Sequence, residues 1–505
     1  MAAAVYLGLF VFNTVTRTGD FSPDSMNYVN VAQNILAGKG LTQPTVGYIQ
    51  DHFSLDDKNG TPFVRQPPLY PLMIAATSKL GLSPARSALL LSALGSAAIF
   101  LLVFGLGRFL YDERVGLIAA ALLLFYWPMQ WIAHWAWTEP ISIALLLASI
   151  WLLAVKSGKR WFVFIAGLIA GAAVATRWAL IAVCGVGILF LIFERNSWRL
   201  KILDSAVYAI GFIVPLGAVF LRNFLVAGVL AGTQAPITGF RENLSAVLQT
   251  VFGVIWSEPP STLQIVLLLL SIMAICIGLV VRGDFGAELR ETFIASGHSA
   301  LTFWTATYLL FLVVERSFSY VEIDARIISP GGITLVILWS AAAVRASRLS
   351  IFHARSFALI LLLLAAWQQA QAAIRTPPLD FARAIRDSER LTWIKNHTTG
   401  EDLIIGQDVI DVPFYFNRTD TLSFSNVTES EPASYEKIMA YSRRYCRDYE
   451  NVYLILKTLP IDEHGCRVLF GDFVCDLTSG RIDEYPGISL RKILADGLVF
   501  QIDCR

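Results

Sequence analysis

An aspartate stands just past the first apolar segment of this chain, in the stretch Gly19-Asp20-Phe21-Ser22-Pro23-Asp24-Ser25-Met26-Asn27-Tyr28. A carboxylate a few residues beyond a membrane span reaches both lipid headgroups and water. That is where a general base acting on a lipid-linked substrate has to stand. Asp24 is therefore a candidate base, with Asp20 and Glu139 as possible second carboxylates. Arg65, Arg177, Arg222 and Arg326 supply guanidiniums near the ends of neighbouring apolar segments, and a guanidinium binds phosphate bidentately. Together these groups suit a reaction whose leaving group is a phosphate-bearing lipid and whose nucleophile is a hydroxyl or amine. Each residue alone also has a plainer reading. Arg177 and Arg222 could snorkel from helix ends, Glu139 could cap a helix after Thr138, and Asp24 or Ser25 could be the N-cap of a helix starting at Ser25-x-x-Tyr28. Their convergence on one side of the membrane favours a polar pocket.

The elements that position these residues are membrane spans. Of 505 residues, 55% are hydrophobic and only 16% charged, against about a quarter charged in soluble domains. The net charge of +1 implies no nucleic-acid partner. At about 20 apolar residues per span, about eleven spans are expected: 2–16, 87–107, 115–132, 138–155, 161–177, 178–194, 203–221, 262–281, 298–315, 328–344 and 355–373. The first is short for a bilayer core and has no basic flank of the signal-peptide kind, as a late-assigned start would produce. Alternate short loops carry Arg108 and Arg114, Lys156, Lys159 and Arg160, Arg195, Arg199 and Lys201, Arg282 and Arg290, and Arg345, Arg348 and Arg355. These basic loops place the N-terminus in the cytoplasm, and loops 17–86 and 222–261 and the C-terminal tail outside. Trp127, Trp131, Trp135 and Trp137 are expected as an interfacial aromatic belt. A transporter or flippase of a lipid-linked or small polar substrate is the alternative, but it predicts internal repeats and broken midplane helices. The sequence shows neither.

From about Thr376 the composition becomes that of a soluble domain. Helices are expected over 381–397 and 434–449, and strands over 401–407, 451–457 and 497–503, giving a small α/β exterior domain over 376–505. Cys446, Cys466, Cys475 and Cys504 lie in it and are disulfide candidates with open pairing, whereas Cys184 and Cys276 fall inside spans. Asn396, Asn417 and Asn426 head glycosylation sequons.

The run Asp24-Ser25-Met26-Asn27-Tyr28-Val29-Asn30-Val31-Ala32, followed by Leu36-Ala37-Gly38-Lys39-Gly40-Leu41, resembles the first exterior loop of GT-C glycosyltransferases of the protein O-mannosyltransferase and aminoarabinose transferase branch. Arg65-Gln66-Pro67-Pro68-Leu69-Tyr70-Pro71-Leu72, Thr138-Glu139-Pro140, Thr176-Arg177-Trp178, Leu221-Arg222-Asn223-Phe224 and the Arg326–Pro330 pair resemble further segments of the branch. The likeness covers about residues 17–225 in sequence and the remainder in topology. It implies a GT-C-like membrane domain over 1–375 and an inverting transfer from a polyprenyl-phosphate sugar at the exterior face, to a lipid, glycan or protein. It implies Asp24 as base, Tyr28 and Tyr70 beside the substrate, and Arg65, Arg177, Arg222 and Arg326 on the donor phosphate. Juxtamembrane helices over 29–36 and 68–80 would roof the site. Some enzymes of this fold use a divalent metal. Here Ser25 stands where an acidic pair is frequent, and Asp20 and Asp24 do not form D-x-D, so no metal or other cofactor is firmly implied.

Overall fold

The computed structural model describes residues 2–16, 21–43, 45–47, 61–155, 159–194, 197–231, 299–318, 325–347, 349–375, 380–407, 409–416, 418, 421–424, 434–457 and 472–503. The expected span at 262–281, most of loop 222–261, and residues Asp20, Cys276, Cys466 and Cys504 lie outside them.

Among the described residues ten α-helices lead from the N-terminus to Ala227: α1 (Ala2–Thr16), α2 (Pro23–Leu36), α3 (Leu69–Ser78), α4 (Pro84–Leu110), α5 (Glu113–Leu123), α6 (Trp127–His134), α7 (Glu139–Ala154), α8 (Arg160–Thr176), α9 (Val183–Glu194) and α10 (Trp198–Ala227). Then come α11 (Ser299–Phe318), α12 (Ala325–Ser347) and α13 (Ile351–Arg375). Among the described residues four helices are long and apolar enough to cross a membrane: α4, α10, α12 and α13. The expected single span over 115–132 is two helices instead, broken at residues 124–126. Pro128 has no N–H to continue an α-helical ladder through this point. The two juxtamembrane helices form, but α2 begins earlier than expected, at Pro23.

Small residues set how closely these helices approach. A Cβ on Gly211 of α10 would lie 2.3 Å from the Phe164 carbonyl of α8, so the two backbones touch there. A Cβ on Gly95 of α4 would lie 2.7 Å from the Pro140 carbonyl carbon, so α4 sets the depth of the first turn of α7. Short α1 is tied in by polar contacts: Asn13 Nδ2 donates to the Gln369 carbonyl (2.6 Å) and to its side-chain oxygen (2.9 Å) on α13. Side-chain hydrogen bonds of this kind contribute modestly, about 1 kcal/mol, between helices in lipid.

Beyond α13 the chain forms α14 (Phe381–Asp387), α15 (Glu389–His397), α16 (Asp411–Phe416) and α17 (Tyr435–Tyr445) around a sheet. The expected helix over 381–397 is split at Ser388, whose hydroxyl caps α15 by accepting from Leu391 N. Two short strands, β1 (Thr42–Gln43) and β3 (Thr61–Pro62), pair antiparallel in the first loop. The larger sheet runs β2 (Thr45–Gly47), β5 (Thr421–Phe424), β4 (Asp402–Gln407), β6 (Asn451–Lys457), β8 (Gly497–Ile502) and β7 (Ile488–Leu494) in spatial order. Strands β2, β5, β4 and β6 are mutually parallel, and β8 and β7 are antiparallel additions. The sheet of the C-terminal region is thus extended by a strand from loop 17–86. Helix α16 packs on α2 from above, with Phe21 and Phe414 rings 4.9 Å apart and Asn30 Nδ2 donating to the Ile410 carbonyl at 3.0 Å.

The close approach at Gly95 yields a test. Gly95→Val forces a branched side chain against Pro140, and overpacking of this kind costs about 1–3 kcal/mol. The thermal midpoint of the detergent-solubilised protein is expected to fall, and an unchanged midpoint would show that α4 and α7 can separate freely.

Candidate functional site

The site forms where α2, the turn before α7, the end of α8 and the start of α12 meet. Helix α2 is capped by Ser22, whose hydroxyl accepts from Ser25 N at 3.2 Å, and Pro23 occupies the first turn. Neither Asp24 nor Ser25 is the cap, contrary to the plainer reading of Asp24. Its carboxylate sits in the first turn, where the helix dipole favours negative charge. There Oδ1 accepts from Gln66 Nε2 (3.1 Å) and Oδ2 accepts from Arg326 Nη1 (3.0 Å).

Arg326 is shared. Its Nε lies 3.4 Å from Glu139 Oε1, and Arg177 Nη1 lies 2.9 Å from the same oxygen. Glu139 Oε2 accepts from the Thr138 hydroxyl at 3.1 Å. Arg177 is available because α8 stops at Thr176 and Arg177 itself is extended (φ −155°, ψ 118°) before a short turn at Trp178–Leu180. The result is an alternating array, Asp24–Arg326–Glu139–Arg177. The two carboxylates differ in access: the side chain of Asp24 is 43% exposed and that of Glu139 only 1%. Glu139 can compensate charge from its buried position, whereas Asp24 can meet a substrate.

Of the other expected residues, Tyr28 is buried beneath Asp24. Burial pushes its phenol well above the ordinary range, with the Asp24 carboxylate adding to the effect, so it stays a neutral hydroxyl. Its ring meets Tyr70 edge-on at 5.3 Å. Tyr70 is fully buried, and its hydroxyl donates to the Ala88 carbonyl at 3.2 Å, so it supports Tyr28 from below. Arg222 holds the first loop: Nη2 donates to the Leu41 carbonyl (2.7 Å), and Nη1 donates to the Phe63 carbonyl and to Asn223 Oδ1. The Arg65 carbonyl accepts from Trp178 Nε1 at 3.1 Å, which places that backbone beside Arg177. Cys446 and Cys475 are each disulfide-bonded. Among the described residues no three His, Cys, Asp or Glu side chains are grouped to hold a metal ion.

Two site residues escaped the sequence reading. Gln66 lies inside the quoted Arg65–Leu72 motif but offers no charge, and its value is only its reach to Asp24 and Asn27. Trp137 was expected among lipid-facing anchors. It is instead buried, with Arg326 Cζ 4.7 Å from its ring centroid and Trp135 stacked on it at 5.4 Å.

This architecture is that of the GT-C membrane glycosyltransferases, and the chain is an integral membrane protein of that fold. The likeness to ArnT from Cupriavidus metallidurans extends over the whole chain. In the apo state the TM-score is 0.60 at 12% identity, covering 100% of this chain and 97% of that one. Bound to undecaprenyl phosphate, ArnT gives 0.58 at 13% identity, with 99% and 97% covered. The oligosaccharyltransferase of Archaeoglobus fulgidus in the apo form gives 0.53 at 12% identity, covering 98% of this chain and 73% of that one. The family model described as dolichyl-phosphate-mannose-protein mannosyltransferase matches residues 65–220. That segment carries Arg65, Glu139 and Arg177, while Asp24 and Arg326 lie outside it. No curated protein sequence matches the chain.

The unequal burial of the carboxylates makes a prediction. Glu139→Ala leaves two guanidiniums without their buried partner, a change that typically costs about 3–5 kcal/mol. Asp24→Asn removes a half-exposed charge and is expected to leave the thermal midpoint nearly unchanged. Equal midpoints for the two variants would contradict the buried role of Glu139.

Proposed function

We propose that the protein transfers a sugar from a polyprenyl-phosphate donor to a lipid, glycan or protein acceptor, with inversion, at the exterior face of the membrane. The observation that carries this reading is that exposed Asp24 and buried Glu139 share Arg326. The general kind of reaction is supported by the fold and by the mannosyltransferase family model. The pattern of basic loops supports an orientation with the N-terminus in the cytoplasm and the C-terminal domain outside.

In the array each guanidinium faces a carboxylate, so an incoming phosphate would exchange one anionic partner for another. Arg326 and Arg177 would bind the donor phosphate, with the isoprenoid remaining in the bilayer, while Arg222 holds the loop around it and Trp178 ties down the Arg65 backbone. Asp24, released from Arg326, accepts the proton of the acceptor hydroxyl or amine. The new bond forms at the anomeric carbon as its bond to the phosphate oxygen breaks. The electron pair leaves with polyprenyl phosphate, whose added negative charge the guanidiniums stabilise. One displacement inverts the centre, and no covalent sugar–enzyme step is needed. Gln66 orients the base by holding its second oxygen.

Transfer from radiolabelled polyprenyl-phosphate sugars, hexose and pentose, into membranes containing the protein tests this directly. Asp24→Asn is expected to lower transfer by about 10²–10⁴, and Arg326→Ala by about 10²–10³, with both proteins still inserted. Wild-type rates for Asp24→Asn would remove the base assignment. Movement of the labelled lipid without bond cleavage would show a flippase.

A further inference from the structure

The segment joining α6 to α7 carries an unusual backbone. Ala136 has φ 53°, the one positive φ at a non-glycine residue among the described residues, and it is fully buried. An L-residue is strained in this region, and such conformations persist where the surroundings over-determine them, often at functional sites. The consequence of this turn is local and specific. It stacks the Trp135 and Trp137 rings at 5.4 Å and 18°. It brings the Trp135 carbonyl to the Ser25 hydroxyl, which donates to it. It also sends Trp137 Nε1 to the Ser22 hydroxyl at 2.6 Å.

The Ser22 hydroxyl is the same group that caps α2, so Trp137 is bonded to the start of the helix that carries Asp24. The Trp137 carbonyl accepts from Ser92 of α4 at 3.2 Å, which fixes the other side of the residue. Across the ring face lies Arg326, at 4.7 Å. A guanidinium over an indole is held by the ring's negative face, more strongly as the pair is desolvated. The face also restricts the plane in which the guanidinium fork can lie. In that plane Nη1 meets Asp24 while Nε meets Glu139.

We infer that Trp137 is the positioning residue for Arg326, its ring setting the guanidinium that receives the donor phosphate and its indole N–H tying that setting to the helix bearing Asp24. The inference rests on Arg326 being a phosphate ligand. It adds that the ligand's affinity is set by an aromatic face contributed by the turn between α6 and α7.

The test is a thermodynamic cycle on the binding of polyprenyl phosphate to the purified full chain in detergent. Trp137→Leu is expected to weaken binding about tenfold, and Trp137→Phe, which keeps an aromatic face, about threefold. In an Arg326→Ala background either substitution is expected to change affinity by less than about twofold, because the group through which Trp137 acts is gone. Equal weakening in both backgrounds, or none in wild type, would overturn the inference. Should Trp137→Leu fail to fold, the Phe variant completes the same cycle. Arg326→Ala that binds polyprenyl phosphate as tightly as wild type would instead overturn the phosphate-ligand reading itself.

Discussion

A carboxylate with 1% exposure governs this structure. A carboxylate buried there calls for cations beside it, because an uncompensated buried charge is too costly. Arg177 arrives from the broken end of α8 and Arg326 from the first turn of α12. Three helix ends must therefore meet at one point. The contact of Gly95 with Pro140 decides how deep that point lies. Arg326 is then left with Nη1 directed to Asp24.

The helix carrying Asp24 is held from two further directions. Below, Tyr28 and Tyr70 pack edge-on in a buried cluster shared with Phe63 and Ile74. Above, α16 lies on α2 through Phe414 and the Ile410 carbonyl. Helix α16 is itself anchored by Asp411 at its first position, paired with buried Arg390 and near Lys457 Nζ at 3.8 Å. Strand β2 adds the first loop to the edge of the same sheet, and Arg222 holds the carbonyls on either side of the β1–β3 pair. The C-terminal region is thus structurally continuous with the loop that bears the proposed base. It packs on that loop through an interlocked set of polar and aromatic contacts.

The array also bears on how an anion would be received. Two carboxylates and two guanidiniums balance one another. On the proposed function, an arriving phosphate would compete for cations already fixed in place, which would keep the reorganisation small. Glu139 would then retain Arg177 and Arg326 near the site while the more exposed Asp24 exchanged its partner.

Much of this was legible in residue types. Hydropathy marks the helical segments because lipid tolerates little unsatisfied backbone, and the long apolar runs over α4, α10, α12 and α13 follow from that alone. Asp24, Glu139, Arg177 and Arg326 stand out as charges at the ends of apolar runs, and the structure brings those four together. Other features depended on folding. Pro128 was visible, but only the structure shows that it splits a span. Ser22 could be seen, but its role as the cap of α2 depends on where the backbone turns. Trp137 has the chemistry of a membrane anchor and of a guanidinium partner alike, and the left-handed turn at Ala136 decides between them. Arg222 could serve a phosphate or a carbonyl, and the decision lay with Leu41 and Phe63, far away in sequence. Charge and hydropathy are properties of residues and survive in any conformation. Which charge meets which partner is a property of backbone directions that distant segments set together.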